Sequence, residues 1–479
     1  KPIGLMFLEI PIYHTFYTWE FFRPFTEPDI SHTVARMKLL HTADLHLGKT
    51  LHETPLLGVQ EKMLNDIHDI LTRDDYAALI IAGDVYDRAI PSAEAVSLFS
   101  RFLARIREDC PDTAVLIIPG NHDSAQRLAF AREILQNQRI YIAQDTSRLA
   151  DPVILTKGEE KLAVYLLPFL NFGAFSEETK EAYHTAGDSQ AEMAAVASHI
   201  LKQAVRPDIP ALLAAHLFTV GGQSSSSERT FIGTAEYVNP NLFSFFDYVA
   251  LGHLHRCQRI TDRMYYSGSP LPYSFDESED AKCVLSIDID CTPKQNTAGK
   301  QNKAKVSAEL FDTETTKAHA ELFDAEITNS RTELFDAENL QPAIDSAKAP
   351  LNIERIPIIS ERPLKRLEGN FEEFFTGNRY DEWSGCYLEI TLNDAEVIAH
   401  PMQLLRQKFP FLLSIRQKSF MNREQQDGEE QLTLRERTAE DPLTLAENFS
   451  RFEIVINGES NQMKQELFEQ LCKEAIDET

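Results

Sequence analysis

Residues 37–46 read Met37-Lys-Leu-Leu-His-Thr-Ala-Asp44-Leu-His46, an apolar run that breaks off into a carboxylate and an imidazole. A short run of this kind is a strand buried on both faces, and a polar tip directly after it is where layered α/β folds carry ligands. The pattern repeats at 78–84, 114–119, 164–169, 211–216, 248–251 and 282–289, each short and rich in Leu, Ile or Val. Helix-length stretches at 58–72, 92–109 and 190–205 lie between several of them, and Pro91 or Ser92 marks one helix start. Strand–helix alternation over 38–290 therefore predicts an α/β layered fold.

Outward from this core the chain changes character three times. Residues 1–36 hold eight aromatics (Phe7, Tyr13, Phe16, Tyr17, Trp19, Phe21, Phe22, Phe25) broken by Pro11, Pro24 and Pro28, and lack the regions of a signal peptide. They read as an extension, with the functional protein beginning near Met37. From 291 to 350, Glu309-Leu-Phe-Asp, Glu321-Leu-Phe-Asp and Glu333-Leu-Phe-Asp recur every 12 residues. So short and polar a repeat reads as a solvated insertion. A smaller α+β unit is expected at 351–420, with strands at 386–392 and 412–416 and a helix at 401–408. A helix-leaning tail follows at 421–479, its stretches 443–449 and 461–475 each able to present one apolar face.

The chain has 479 residues, of which 43% are apolar and 25% charged, enough for a sizeable core and against global disorder. No run approaches the ~18 apolar residues of a membrane span. The six cysteines (Cys110, Cys257, Cys283, Cys291, Cys386, Cys472) form no CxxC pair, which excludes a thiolate zinc site of that type and fits a reducing, cytoplasmic setting. The net charge of −27 opposes long-range attraction to nucleic acid but leaves room for a local basic groove.

Five polar clusters sit at or just past the expected strand ends: Asp44-Leu-His46, Gly83-Asp84-Val-Tyr-Asp87, Gly120-Asn121-His122-Asp123, His216, and Gly252-His253-Leu-His255. Singly, each is what a capping or core hydrogen-bonding residue looks like. As a set of oxygen and nitrogen donors without thiolate they suit Mn²⁺, Fe²⁺ or Zn²⁺. Residues i and i+2 of an extended segment point the same way, so each Asp-x-His or His-x-His pair is expected to converge on one site. Two ions ~3.5–4 Å apart need about four ligands each with one carboxylate shared, and this count meets that need. The glycines before Asp84, Asn121 and His253 are expected to permit tight turns.

This set resembles the calcineurin-like metallophosphoesterases. Five longer stretches resemble their SbcD/Mre-type nuclease branch: His41-Thr-Ala-Asp-Leu-His-Leu-Gly-Lys49, Ala82-Gly-Asp-Val-Tyr-Asp87, Ile118-Pro-Gly-Asn-His-Asp-Ser124, Ala250-Leu-Gly-His-Leu-His255 and Tyr266-Ser-Gly-Ser-Pro-Leu-Pro-Tyr273. The resemblance covers 37–290 well and 350–479 loosely, and leaves out 1–36 and the repeats. It implies a layered β-sandwich flanked by helices, with one metal on Asp44, His46, Asp84 and His255. A second would sit on Asp84, Asn121, His216 and His253, with Asp84 bridging. His122 matches the histidine that contacts the phosphate and supports leaving-group departure, and Asp123 reads as orienting a neighbour. Where the archaeal and eukaryotic branch often has histidine, this chain has Asp87, whose role stays open.

The resemblance further implies two Mn²⁺ ions and a nuclease that trims duplex DNA ends and nicks single strands or hairpins, in repair, recombination and replication. It also implies an SbcC-type coiled-coil ATPase partner and a homodimer within a heterotetramer, away from membranes. Lys49 ends a stretch like a phosphate-binding loop, but Ala43 stands where that loop needs glycine, so Lys49 is expected to be a DNA-phosphate contact or a solvated residue. Arg362 and Lys365, in a cluster of nine cations running from Arg355 to Lys418, are the other expected DNA contacts. The rival readings are a phosphoesterase of smaller substrates, either a protein phosphatase or a nucleotide phosphodiesterase, and a non-catalytic scaffold of the same fold.

Overall fold

The computed structural model describes residues 36–183, 189–225, 237–292 and 351–418. The N-terminal stretch, nearly all of the repeat segment and the tail lie outside the described residues.

In chain order the strands are β1 Arg36–Thr42, β2 Thr50–Leu51, β3 Thr54–Pro55, β4 Tyr76–Ala82, β5 Ala114–Ile118, β6 Ile140–Ile142, β7 Val153–Lys157 and β8 Glu160–Leu167. Then come β9 Ala211–His216, β10 Tyr248–Gly252, β11 Gln258–Arg259, β12 Met264–Tyr266, β13 Cys283–Asp290, β14 Asn352–Pro357, β15 Leu364–Gly369, β16 Tyr387–Leu392 and β17 Leu412–Gln417. One six-stranded sheet runs β14-β13-β1-β4-β5-β6 and a second runs β11-β12-β10-β9-β8-β7. Their inner faces pack together through Leu39, Ile80 and Leu116 of the first and Val164, Leu212 and Ala250 of the second. At this interface His41 of β1 reaches Tyr248 Oη at 3.0 Å and the Leu251 carbonyl at 3.2 Å, both on β10. Burial pushes its ring down to about 3, so it stays neutral.

Helices cover both outer faces. On the first sheet lie α1 (Leu57–Arg73) and α2 (Ala93–Asp109); Ser92 caps α2 by accepting the Ala95 N–H at 3.2 Å. Leu98, Phe99, Phe102 and Ile106 recur at helical spacing along α2 and are buried, each burial being worth ~1.5–3 kcal/mol. Helix Gln190–Ala204 covers the second sheet and opens with a capping box of Ser189 and Glu192.

The small unit is a parallel sheet β15-β16-β17 with helices Phe371–Phe375 and Pro401–Leu405 on one face, around Phe374, Leu388, Ile390 and Phe409. Leu364, Tyr387 and Leu413 turn the other way and join the core beneath the first sheet. The expected unit at 351–420 starts differently. Its first strand, β14, pairs antiparallel with β13 (Leu285 opposite Arg355), so the chain completes the first sheet before entering the small one.

Candidate metal centre

Strands β1, β4 and β5 are parallel, as are β9 and β10, and the site forms where their carboxyl ends meet. Past β1 and β4, the chain keeps pairing without being regular strand: Asp44 N–H donates to the Gly83 carbonyl (3.0 Å), His46 N–H to Asp84 (2.9 Å) and Leu47 N–H to Val85 (2.9 Å). Two ligand-bearing loops are thus zipped side by side. Asp44 in turn accepts the His253 N–H at 3.1 Å, fastening the β10 loop to them.

The paired side chains do not converge through the strand pleat that their i, i+2 spacing predicts. Asp44 (φ 54°), His46 (φ 43°), Asp84 (φ 49°) and His253 (φ 107°) all adopt positive φ, so left-handed turns aim these side chains, not an extended segment. Such backbone costs about 1–3 kcal/mol per residue and persists only where its surroundings over-determine it. The glycines also act differently from expectation. Only Gly83 is left-handed (φ +95°). Gly120 and Gly252 are there for space, since a Cβ on Gly120 would lie 2.1 Å from Asp84 Oδ1.

The expected donors converge. Asp44, His46 and His255 offer ligand atoms within 4.8 Å of one another, as do His46, Asp84 and His122, and Asp44, Asp84 and His216. Asn121 Oδ1 lies 3.0 Å from both His216 Nε2 and His253 Nδ1. His46 Nε2 and His255 Nε2 face each other at 3.1 Å. Asp84 Oδ2 stands 3.7 Å from His46 Nε2 and 3.5 Å from His216 Nε2, too far to hydrogen-bond well to either. His253 Nε2 is buried without a hydrogen-bond partner among the described residues. Buried imidazole nitrogens, an amide oxygen and carboxylate oxygens gathered this closely are a donor set that fits divalent cations.

The protonation states agree. Burial pushes His46 to about 4 and His253 to about 3, leaving neutral imidazoles able to act as ligands. Burial also works against the Asp84 carboxylate, but His216, His46 and His122 outweigh it and hold the group at about 2. His216 Nδ1 donates to the Ala82 carbonyl at 2.9 Å, which presents Nε2 to the pocket. His122 is fixed twice: its N–H donates to Asp84 Oδ1 at 2.9 Å and its Nδ1 to the Asp87 carbonyl at 2.9 Å.

Residues 37–257 match the calcineurin-like phosphoesterase family. This stretch is a calcineurin-like phosphoesterase domain. Residues 360–453 match a second family, described as the type 5 capsule protein repressor C-terminal domain. The SbcD component of nuclease SbcCD from Staphylococcus epidermidis is 27% identical over 419 residues, 86% of this chain and 92% of that protein. Two solved structures are fainter likenesses. GAP50, the anchor in the inner membrane complex of Plasmodium, is 10% identical over 60% of this chain and 95% of that one, with TM-score 0.30. The nuclease MPE of Pseudomonas putida is 18% identical over 39% and 65%, with TM-score 0.18.

The phosphoesterase domain also shows which residues support these donors, some inside the motifs and some outside them. Asp87 accepts Lys49 Nζ at 2.7 Å and faces His46 Nδ1 at 3.5 Å, so its carboxyl and carbonyl oxygens brace His46 and His122. Gln60, fully buried on α1, donates to the His46 carbonyl at 2.7 Å and accepts the Gly48 N–H at 3.0 Å; Tyr273 Oη donates to the Leu45 carbonyl. A buried amide on the apolar face of a predicted helix was the available signal. Asp123 accepts N–H groups from Val85 (3.0 Å), Tyr86 (2.9 Å) and Gly120 (3.0 Å), binding one ligand loop to the next.

The three residues expected on DNA each have a contact within the protein. Lys49 is half-buried against Asp87 and the Tyr273 ring. Arg362 stacks on the Phe411 ring with its guanidinium 3.6 Å from the centroid, and Lys365 pairs with Glu279 at 3.1 Å. Among the described residues no helix is long and apolar enough to cross a membrane.

Proposed function

We propose that this chain is a metal-dependent DNA nuclease, the hydrolytic subunit of an SbcCD-type complex. The observation that carries the reading is the donor set itself: carboxylate, amide and imidazole groups from five separate loops, gathered around Asp84. It is supported by the similarity to the staphylococcal SbcD protein, which spans 92% of that protein.

In this reading Asp44, His46, Asp84 and His255 would hold one divalent ion and Asp84, Asn121, His216 and His253 the other, with manganese as the ion. Bound there, the pair supplies charge neutralisation of the phosphodiester and a hydroxide nucleophile near neutral pH. The protein contributes geometry and a proton. With Nδ1 held by the Asp87 carbonyl, His122 directs Nε2 at the departing oxygen, where an imidazolium protonates it. Lys49 serves from inside by holding Asp87, while Arg362 and Lys365 contact DNA from the small unit. An SbcC-type ATPase would supply nucleotide dependence, two copies of each chain forming the assembly in the cytoplasm. The division into a nuclease domain over 37–290, a capping unit from 351 and a docking tail from 421 belongs to the same reading.

The decisive experiment sets hairpin and linear duplex DNA against p-nitrophenyl phosphate, with Mn²⁺ added, in the presence and absence of the ATPase. Cleavage of DNA at a rate well above that of the small ester is expected. Brisk turnover of the small ester with DNA left intact would transfer the chain to the smaller-substrate class.

A further inference from the structure

The histidines of the site are held in unequal ways. His216 and His122 each use Nδ1 on a backbone carbonyl, and His46 Nδ1 stands 3.5 Å from Asp87. His255 has Nδ1 on a fully buried carboxylate at the shorter distance of 3.1 Å, to Glu277 Oε1. Glu277 is fully buried, on the short turn Phe275–Glu277, and had no part in the sequence argument.

A carboxylate in that position needs compensation, and the structure supplies it. Lys282 Nζ lies 2.6 Å from Glu277 Oε2 and also donates to the His255 carbonyl at 2.9 Å and to Ser269 Oγ at 3.0 Å. Ser225 and Ser274 hydroxyls donate to Oε1 at 3.3 and 3.2 Å, and the Tyr273 N–H reaches Oε2 at 3.3 Å. The pair therefore grips one residue from two sides, Glu277 on the ring of His255 and Lys282 on its backbone. The neighbouring Asp276 is anchored to Arg366 Nη1 of β15 at 2.8 Å, which keeps the turn in place. A buried ion pair is seldom a gain in stability over apolar packing, so its placement on a candidate ligand asks for a functional account.

We propose that Glu277, held by Lys282, is a positioning residue that fixes the orientation of His255 and polarises it as a metal ligand. The proposal rests on the metal-centre reading above and assigns to it an asymmetry: one of the two ion positions depends on a buried carboxylate that the other lacks. Carboxylates in this relation to a ligating histidine typically change metal affinity 10–100-fold when removed.

The test measures Mn²⁺ binding to the metal-free full chain by equilibrium dialysis and electron paramagnetic resonance, independently of cleavage. Glu277→Gln with Lys282→Gln removes both charges together and so leaves no uncompensated ion in the core. Glu277→Asp keeps the charge opposite Lys282 but draws the carboxylate back from His255. Both variants are expected to bind one Mn²⁺ as the parent does and the second about 10–100-fold more weakly, with cleavage restored by excess Mn²⁺. Adding His255→Ala to the double variant should weaken that second ion little further, because both changes act on one ligand. Two ions bound with the parent's affinity in both variants would overturn the proposal alone. A parent chain that binds no Mn²⁺ would overturn the metal-centre reading, and the proposal with it.

Discussion

Gly252→Ala is the sharpest test of how the two sheets make the site. Gly252 closes β10 of the second sheet, beside His216 of β9, and its Cα faces the end of β4 across the sandwich. A Cβ there would sit 1.8 Å from the Ala82 carbonyl oxygen and 2.9 Å from Ala43 Cβ. The nearer neighbour is backbone, so no rotamer change relieves the clash; β10 and β4 must part by at least about 1 Å. Overpacking of this order costs about 1–3 kcal/mol. In a domain of this size that is a fall in Tm of roughly 2–12 °C. The larger effect is on chemistry, because His253 and His255 directly follow β10 and Asp84 follows β4, and about 1 Å of misplacement costs on the order of 100-fold in rate. Thermal melts should be paired with Mn²⁺-dependent cleavage. Gly58→Ala serves as control, since Gly58 lies inside α1 with nothing within 4 Å of the added carbon and should melt no lower than the parent. A Gly252→Ala protein melting within 1 °C of the parent, by about the accuracy expected for neutral surface changes, and cleaving at full rate would refute the close-approach argument.

His122→Gln should keep both Mn²⁺ ions, measured by dialysis, and lose cleavage by about 10²–10⁴-fold; undiminished turnover removes His122 from the reaction. The metal-free protein should lose stability as pH falls from 6.5. Burial holds His41 near 3, His46 near 4 and His253 near 3, so the unfolded chain takes up protons on all three that the folded chain refuses. Asp123 opposes them, since burial and Asp84 push it up to about 7 and it binds a proton in the folded state. His216, lowered by burial as well, falls on the side of the three histidines. The balance therefore favours the unfolded chain by at least two protons, a slope on the order of 3 kcal/mol per pH unit; a Tm flat between pH 6.5 and 4.5 would contradict it. Charge reversal of Arg362 and Lys365 together should weaken DNA binding and make its dependence on log salt shallower by up to about 2. An unchanged slope would take both residues off the phosphate backbone.

The seven candidate donors are legible in sequence because each follows an apolar run that ends abruptly, and such runs have few folds open to them. Strands β1, β4, β5, β9 and β10 are bounded close to where those runs stop. What escaped notice was of two kinds. Edge strands such as β14 (Asn-Ile-Glu-Arg-Ile-Pro) and β15 (Leu-Lys-Arg-Leu-Glu-Gly) bury little, so charge hides their period. Supporting residues such as Gln60, Glu277 and Lys282 look like surface residues in sequence and become core residues only through contacts far along the chain. Glu277 lies 22 residues from His255. The aim of the side chains was also illegible, since left-handed backbone at Asp44, His46, Asp84 and His253 follows from the cross-loop hydrogen bonds and not from local preference.

The charge distribution then says where attraction to a phosphodiester must come from. The chain carries −27 overall, and the nine cations that suggested a basic face are largely spent internally. Arg366 pairs with Asp276 and Glu389, Arg416 with Glu389, Arg379 with Glu373, Lys408 with Asp381, Lys418 with Glu368 and Lys365 with Glu279. Exposed pairs of this kind stabilise little, but each one weakens the field that a phosphate would feel. Arg355, Arg362 and Arg406 are left without a carboxylate among these pairs, too few to hold a duplex against so acidic a chain. Divalent cations held at Asp84 and its neighbours, as proposed above, would add positive charge where hydrolysis would occur. On that proposal affinity and chemistry would share the same few side chains, and a chain stripped of metal is expected to hold DNA less tightly as well as to stop cutting it.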